Sequence, residues 1–120
     1  MEQQWTKMSD QRRCPRVPVS RSVRIKTSAG TVARARMVNI SQDGVALLYD
    51  APAEIGAKLE LSFSLVVRGR QVEYRIACVA RYNHLSSRGY VIGLQFVALD
   101  PETDANLREF IAHKRSMRDA

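Results

Sequence analysis

Ala57-Lys58-Leu59-Glu60-Leu61-Ser62-Phe63-Ser64-Leu65, closed by Arg68-Gly69-Arg70 and followed by Gln71-Val72-Glu73-Tyr74-Arg75-Ile76-Ala77-Cys78, decides the fold class. In the first half Ala57, Leu59, Leu61, Phe63 and Leu65 alternate with Lys58, Glu60, Ser62 and Ser64. In the second, Val72, Tyr74, Ile76, Cys78 and Ala80 alternate with Gln71, Glu73, Arg75 and Arg81. Successive side chains of a strand point to opposite faces, so this period marks strands with one face buried and one wet. Two such runs joined through a glycine predict a hairpin.

The same pattern extends upstream. Val23 and Ile25 alternate with Ser22, Arg24 and Lys26, and Ser28-Ala29-Gly30 supplies a turn. From Thr31 to Asn39, Ala33, Ala35 and Met37 alternate with Arg34 and Arg36; after a polar break at Ser41-Gln42-Asp43-Gly44 come Val45, Leu47 and Tyr49. Downstream, Ser86-Ser87-Arg88-Gly89 reads as a turn, with His84 in the polar region before it, and Tyr90 to Val97 as the last strand. Asp100-Pro101-Glu102 then combines a capping side chain, a proline at the first helical position and an acid in the first turn. Leu107, Phe110 and Ile111 recur at helical spacing, so a helix is predicted from Pro101 to Met117, with Arg115 and Arg118 complementing the negative end of its dipole. Six short strands and a terminal helix predict an all-β domain, a six-stranded antiparallel β-barrel plus C-terminal α-helix, because closure removes exposed edges.

At 120 residues and 45% hydrophobic content, the chain can build one domain with a proper core. It has no apolar run long enough to span a bilayer, and Met1 to Lys7 lack the apolar stretch of a secretory signal, so a cytoplasmic protein is expected. Cys14 and Cys78 lie far apart and match no metal-ligand spacing; reduced thiols and no metal are expected. His84 and His113 have no neighbouring triad or ligand pattern, and no nucleophile–base pair or glycine-rich phosphate loop is evident, which argues against an enzyme. The net charge of +7 is unevenly placed: residues 1–36 carry nine cations against Glu2 and Asp10, and the remainder is balanced at ten and ten. Seven of those nine are arginine, which prefers planar, bidentate acceptors. An anionic partner is implied.

Two motifs carry chemistry. Arg12-Arg13-Cys14-Pro15-Arg16 is an Arg-x-x-x-Arg spacing followed by Val17-Pro18-Val19, whose prolines hold it extended. Residues 1–16 thus read as a flexible N-terminal arm leading into a barrel over residues 17–120. Asn39-Ile40-Ser41-Gln42-Asp43-Gly44 is an Asn-x-Ser-x-x-Gly pattern between the second and third strands. There Gly44 offers backbone freedom, and Asn39 and Ser41 offer short polar groups at a turn.

In this order, and with Gly93-Leu94-Gln95-Phe96 in the last strand, these residues resemble the signature of the PilZ family over Arg12 to Val97. The resemblance implies a PilZ-type barrel that receives the bacterial second messenger cyclic di-GMP, with no cofactor. Carried over, Arg12 and Arg16 are the clamp for guanine edges and phosphates, and Asn39, Ser41 and Gly44 the opposing platform; Arg13, Arg21, Arg34 and Arg36 are secondary candidates. Guanine O6 and N7 form a paired acceptor edge that suits a guanidinium fork. Asn39 stands where many relatives have Asp, keeping the acceptor carbonyl without its charge. Ligand binding is expected to order the arm and so relay the signal to an unidentified downstream protein, by family analogy in motility, pilus, biofilm or exopolysaccharide machinery. The rival readings are a basic β-barrel for single-stranded nucleic acid, disfavoured because the charge is concentrated at one end and the strands do not show several outward aromatics for stacking, and a PilZ scaffold acting only through protein contacts.

Overall fold

The computed structural model describes residues 14–119, and in them six strands precede a helix. The strands are β1 (Val17–Thr27), β2 (Val32–Ile40), β3 (Gly44–Tyr49), β4 (Lys58–Val67), β5 (Arg70–Ser86) and β6 (Gly89–Phe96); α1 spans Pro101–Asp119. All pairings are antiparallel, and the order β1-β2-β3-β6-β5-β4 closes into a barrel through β1 and β4. The hairpin predicted from residues 57–81 is present, in unbroken register from Lys58↔Val79 to Val67↔Arg70. Its two-residue turn places both Arg68 (φ 53°) and Gly69 (φ 76°) in the left-handed region, the geometry that matches the twist of hairpin strands.

The alternation fills the barrel as expected. Val23, Ile25, Leu61, Phe63, Leu65, Tyr74, Ile76, Cys78, Ile92, Leu94 and Phe96 are buried in one cluster. Leu107, Phe110 and Ile111 of α1 complete it, so the helix plugs the barrel rather than standing apart. Asp100 caps that helix by accepting from the Thr103 N–H at 2.8 Å, which satisfies one of its orphan donors. Burial pushes the Cys78 thiol up to about 12, so it stays protonated at neutral pH. No disulfide joins it to Cys14.

β1 begins at Val17, where the barrel was expected to start, with Pro18 tolerated where the pairing with β2 slips between Pro18 and Arg21. One strand runs well past its expected end. β5 continues past Ala80 to Ser86, so His84 lies in a strand and not in a turn region. A bulge between Ala80 and Tyr82 inverts the alternation there and disguises the continuation as a polar break.

Candidate ligand-binding site

β2 sets the site through a second bulge. Ala33, Ala35 and Met37 face inward, and strict alternation would send Asn39 into the core after them. The pairing of β2 with β3 slips between Met37 and Asn39, so Ile40 is fully buried instead and Asn39 stays half-exposed. Bulges redirect side chains in this way. Asn39 also pairs with Pro18 on β1, which brings it beside the end of the Arg-x-x-x-Arg segment. There the Arg16 Nη1 donates to Asn39 Oδ1 at 2.8 Å. Residues 23 positions apart in sequence thus form one polar edge. One N–H of the Arg16 fork is engaged by the amide, which orients the guanidinium, and among the described residues no other side chain engages the fork.

The Ser41–Gly44 turn is held from within. Ser41 is fully buried; its hydroxyl donates to Asp43 Oδ1 at 2.7 Å and accepts from the Asp43 N–H at 3.3 Å. The Ser41 N–H donates to the Gly44 carbonyl at 2.8 Å, and the Phe96 N–H donates to the Asp43 carbonyl at 2.9 Å. Ser41 therefore shapes the turn and presents no free hydroxyl. Gly44 is required for closeness and not for a left-handed backbone: a methyl there would run into the Leu94 carbonyl oxygen on β6. Phe96, the last residue of the Gly-x-x-Phe segment, supports the turn from the core.

The other sequence candidates divide. Arg12 and Arg13 lie outside the described residues. Arg36 sits one outward position from Asn39 along β2 and donates to Ser20 Oγ at 2.8 Å. Arg21 lines a groove between β1 and α1 with Arg68, Phe110 and Lys114. Arg34 lies opposite Arg24, five residues along β2 from Asn39, and lines a different groove. Neither of these two joins the Arg16–Asn39 edge.

Cross-strand register adds residues that the sequence reading missed. Asn39, Ala46, Gly93 and Tyr82 form one outward row across β2, β3, β6 and β5; Arg36, Leu48, Val91 and His84 form the next. Tyr82 lies against Gly93, where a methyl would collide with the ring, and stacks on His84 with centroids 6.3 Å apart. The row thus forms a shelf with a guanidinium and amide at one edge and an aromatic pair at the other, its floor at Ala46 and Gly93 buried. The glycine of Gly-x-x-Phe was the available signal, since it leaves room for a ring from the neighbouring strand.

Gln42 is the remaining addition. Its Nε2 donates to Asp104 Oδ1 at 3.0 Å, and Arg108 meets the other carboxylate oxygen at 3.2 Å, so the turn is tied to α1. The Gln42 hydrogen bond first, and the Arg108 one second, hold Asp104 below the 3.8 of an ordinary aspartate. A lowered carboxylate contributes stability that is present above 3.8 and lost as pH falls through the folded value. Accordingly, the Gln42 side-chain amide resonance is expected to shift only in that acid range, and Gln42→Ala to move the Asp104 midpoint upward in an NMR titration. Pro15 faces the same junction, lining a cleft of about 160 Å³ with Gln42, Arg108, Ile111 and Arg115.

Comparison with known proteins fits this geometry. The family model for the PilZ domain matches residues 10–113. A search of curated proteins returned no match. Among solved structures, the chain is similar to the Bacillus subtilis inhibitor of motility MotI/DgrA (TM-score 0.77, 19% identity, covering 91% of this chain and 54% of that one). It is also similar to Escherichia coli YcgR in complex with c-di-GMP (TM-score 0.74, 16% identity, 92% and 49%). The isolated PilZ domain of YcgR with c-di-GMP matches over 92% of this chain and 96% of that one, with a TM-score of 0.66 and 15% identity. The chain therefore spans about half the length of the first two. At these identities the likeness establishes the fold.

Proposed function

The chain belongs to the PilZ domain family, and from that premise we propose that it is a non-enzymatic receptor for cyclic di-GMP, bound on the shelf bordered by Arg16 and Asn39. The observation that carries this reading is the 2.8 Å hydrogen bond by which the two motifs meet. Had they lain on opposite sides of the barrel, no single dinucleotide could span them. Two of the similar structures, the YcgR protein and its PilZ domain, hold c-di-GMP, which supports the same ligand.

Arg16 keeps donors for a guanine O6/N7 edge or a phosphate, and Arg12 and Arg13 supply further charge from the adjoining arm. Ser41 and Gly44 act through the shape of the turn, holding Asn39 at the rim. Binding draws the rest of the arm onto the barrel that Pro15 and Arg16 already meet, and the relay to a downstream protein follows from that ordering. Pro15 against α1 and the Gln42–Asp104 tie support such a relay, because both connect the site to the helix.

Calorimetric titration with cyclic di-GMP in moderate salt tests the receptor role, with oligothymidylate as the competing ligand. Saturable binding of the cyclic dinucleotide that persists in salt is expected. Tighter, steeply salt-dependent binding of the oligonucleotide would turn the assignment to nucleic acid, since phosphate-only contacts weaken with salt. Hydrogen exchange tests the relay: amides of residues 1–16 gain protection at saturation, and unchanged protection removes the proposed ordering.

A further inference from the structure

Closure of the barrel creates a second charged surface. β1 and β4 pair only from Arg24↔Ser62 to Thr27↔Leu59, and where that ladder stops, at Ser22 and Ser64, a groove of about 540 Å³ opens. Its outward lining is Ser22, Arg24, Arg34, Ser62, Ser64, Glu73 and Arg75. Register sets Arg34, Arg24, Ser62 and Arg75 in one row across β2, β1, β4 and β5. Arg24 and Arg34 are directly opposite each other and both exposed, an arrangement that costs stability in a sheet. None of the three arginines has an ion pair or side-chain hydrogen bond among the described residues.

We propose that this groove is a docking surface for an extended acidic segment of a partner protein, with carboxylates of the segment meeting Arg34, Arg24 and Arg75. Charge complementarity selects the occupant. Strands lie roughly 4.8 Å apart, so the row extends about 14 Å, and an extended chain covers that in about four residues. Guanidinium groups spread over such a distance do not converge on a single small anion. Nucleic acid fits poorly because Glu73 stands in the lining and because the ring-bearing residues there, Phe63 and Tyr74, are each only 6% exposed, leaving no face for a base. Glu73 instead suits a segment that carries one cation among its acids. Ser62, half-buried between Arg24 and Arg75, and Ser64, half-buried opposite Glu73, add hydroxyls for the segment's backbone or carboxylates. The surface lies apart from the Arg16–Asn39 edge, so both can be occupied together.

A fluorescein-labelled peptide of Glu-Ser repeats, titrated into the whole chain, tests this. Wild type is expected to bind it, with amide shifts confined to Ser22–Arg24, Arg34 and its strand neighbours, Ser62–Ser64 and Glu73–Arg75. The double variant Arg24→Gln/Arg75→Gln is expected to lose about tenfold or more in affinity, in line with the coupling of charge pairs across interfaces. Its melting temperature should stay at or above that of wild type, and its cyclic di-GMP binding should not change. Equal peptide binding by the double variant, shifts centred on Arg16 and Asn39, or displacement of the peptide from the groove by oligothymidylate would each overturn the proposal. Failure to bind cyclic di-GMP bears only on the receptor reading, because the peptide arms do not depend on it.

Discussion

Arg16→Ala is expected to raise the Kd for cyclic di-GMP by about two orders of magnitude or more while leaving folding nearly untouched. A bidentate guanidinium–guanine contact discriminates by roughly 1–3 kcal/mol, and a charge-assisted hydrogen bond to phosphate is worth about 1.5–3 kcal/mol. Losing one of each removes about 3 kcal/mol at the low end of these ranges, and every 1.4 kcal/mol is about tenfold. Against this, Arg16 is exposed, and its side-chain hydrogen bond in the structure goes to a half-exposed amide. Truncating such a surface group changes stability by about 0.5 kcal/mol or less. Arg16→Lys sharpens the test: it keeps the charge but loses the planar fork, and should recover only a small part of the affinity. Calorimetry paired with thermal denaturation reads both quantities. A Kd within twofold of wild type for Arg16→Ala would remove Arg16 from the site.

Gly44→Ala acts in the opposite way, on the fold first and on the ligand through it. The added methyl meets the Leu94 carbonyl oxygen and the Gln95 Cα across the β3–β6 ladder, and both are backbone atoms held by pairing of Gly44 with Gln95. Neither can swing aside as a side-chain end could. The strands must separate locally, which threatens the Phe96-to-Asp43 and Ser41-to-Gly44 backbone hydrogen bonds that hold the turn. Overpacking of this kind costs about 1–3 kcal/mol, and each hydrogen bond lost adds about 1 kcal/mol. A loss of about 2–4 kcal/mol is expected, read as a lower urea midpoint with little change in slope. Cyclic di-GMP affinity should fall with it, since Asn39 depends on the same turn. A midpoint equal to that of wild type would show that β6 can yield.

The contrast between these residues explains what the sequence could disclose. The β4–β5 hairpin was legible because its alternation is strict and its turn local, and α1 because Asp100 and Pro101 announce its start. The end of β5 was not, because the bulge at Ala80–Tyr82 shifts the period and makes a strand look like a polar break. Asn39 and Gly44 were legible as a motif, but not in what they do. A bulge between Met37 and Asn39 decides which way the amide points, and no local pattern distinguishes a bulged strand from a regular one. Likewise a glycine reads the same whether it serves a left-handed backbone or a close approach, and only the Leu94 carbonyl tells which. The row of Arg34, Arg24, Ser62 and Arg75 was invisible for a stronger reason: it depends on β1 meeting β4, a pairing between distant stretches that leaves no trace in either.

That same seam orders events during synthesis. β1 finds β2 as soon as residues up to Ile40 have emerged from the ribosome, but its second neighbour is not made until Lys58–Val67 follow, and the cap of the barrel waits for Leu107. In the interval the nascent β1–β2–β3 sheet carries an uncovered apolar face and an open edge, the kind of template on which chains cross-associate. Slow emergence of residues 41–67 should therefore lower soluble yield, whereas a delay after Ile111 has emerged should be harmless.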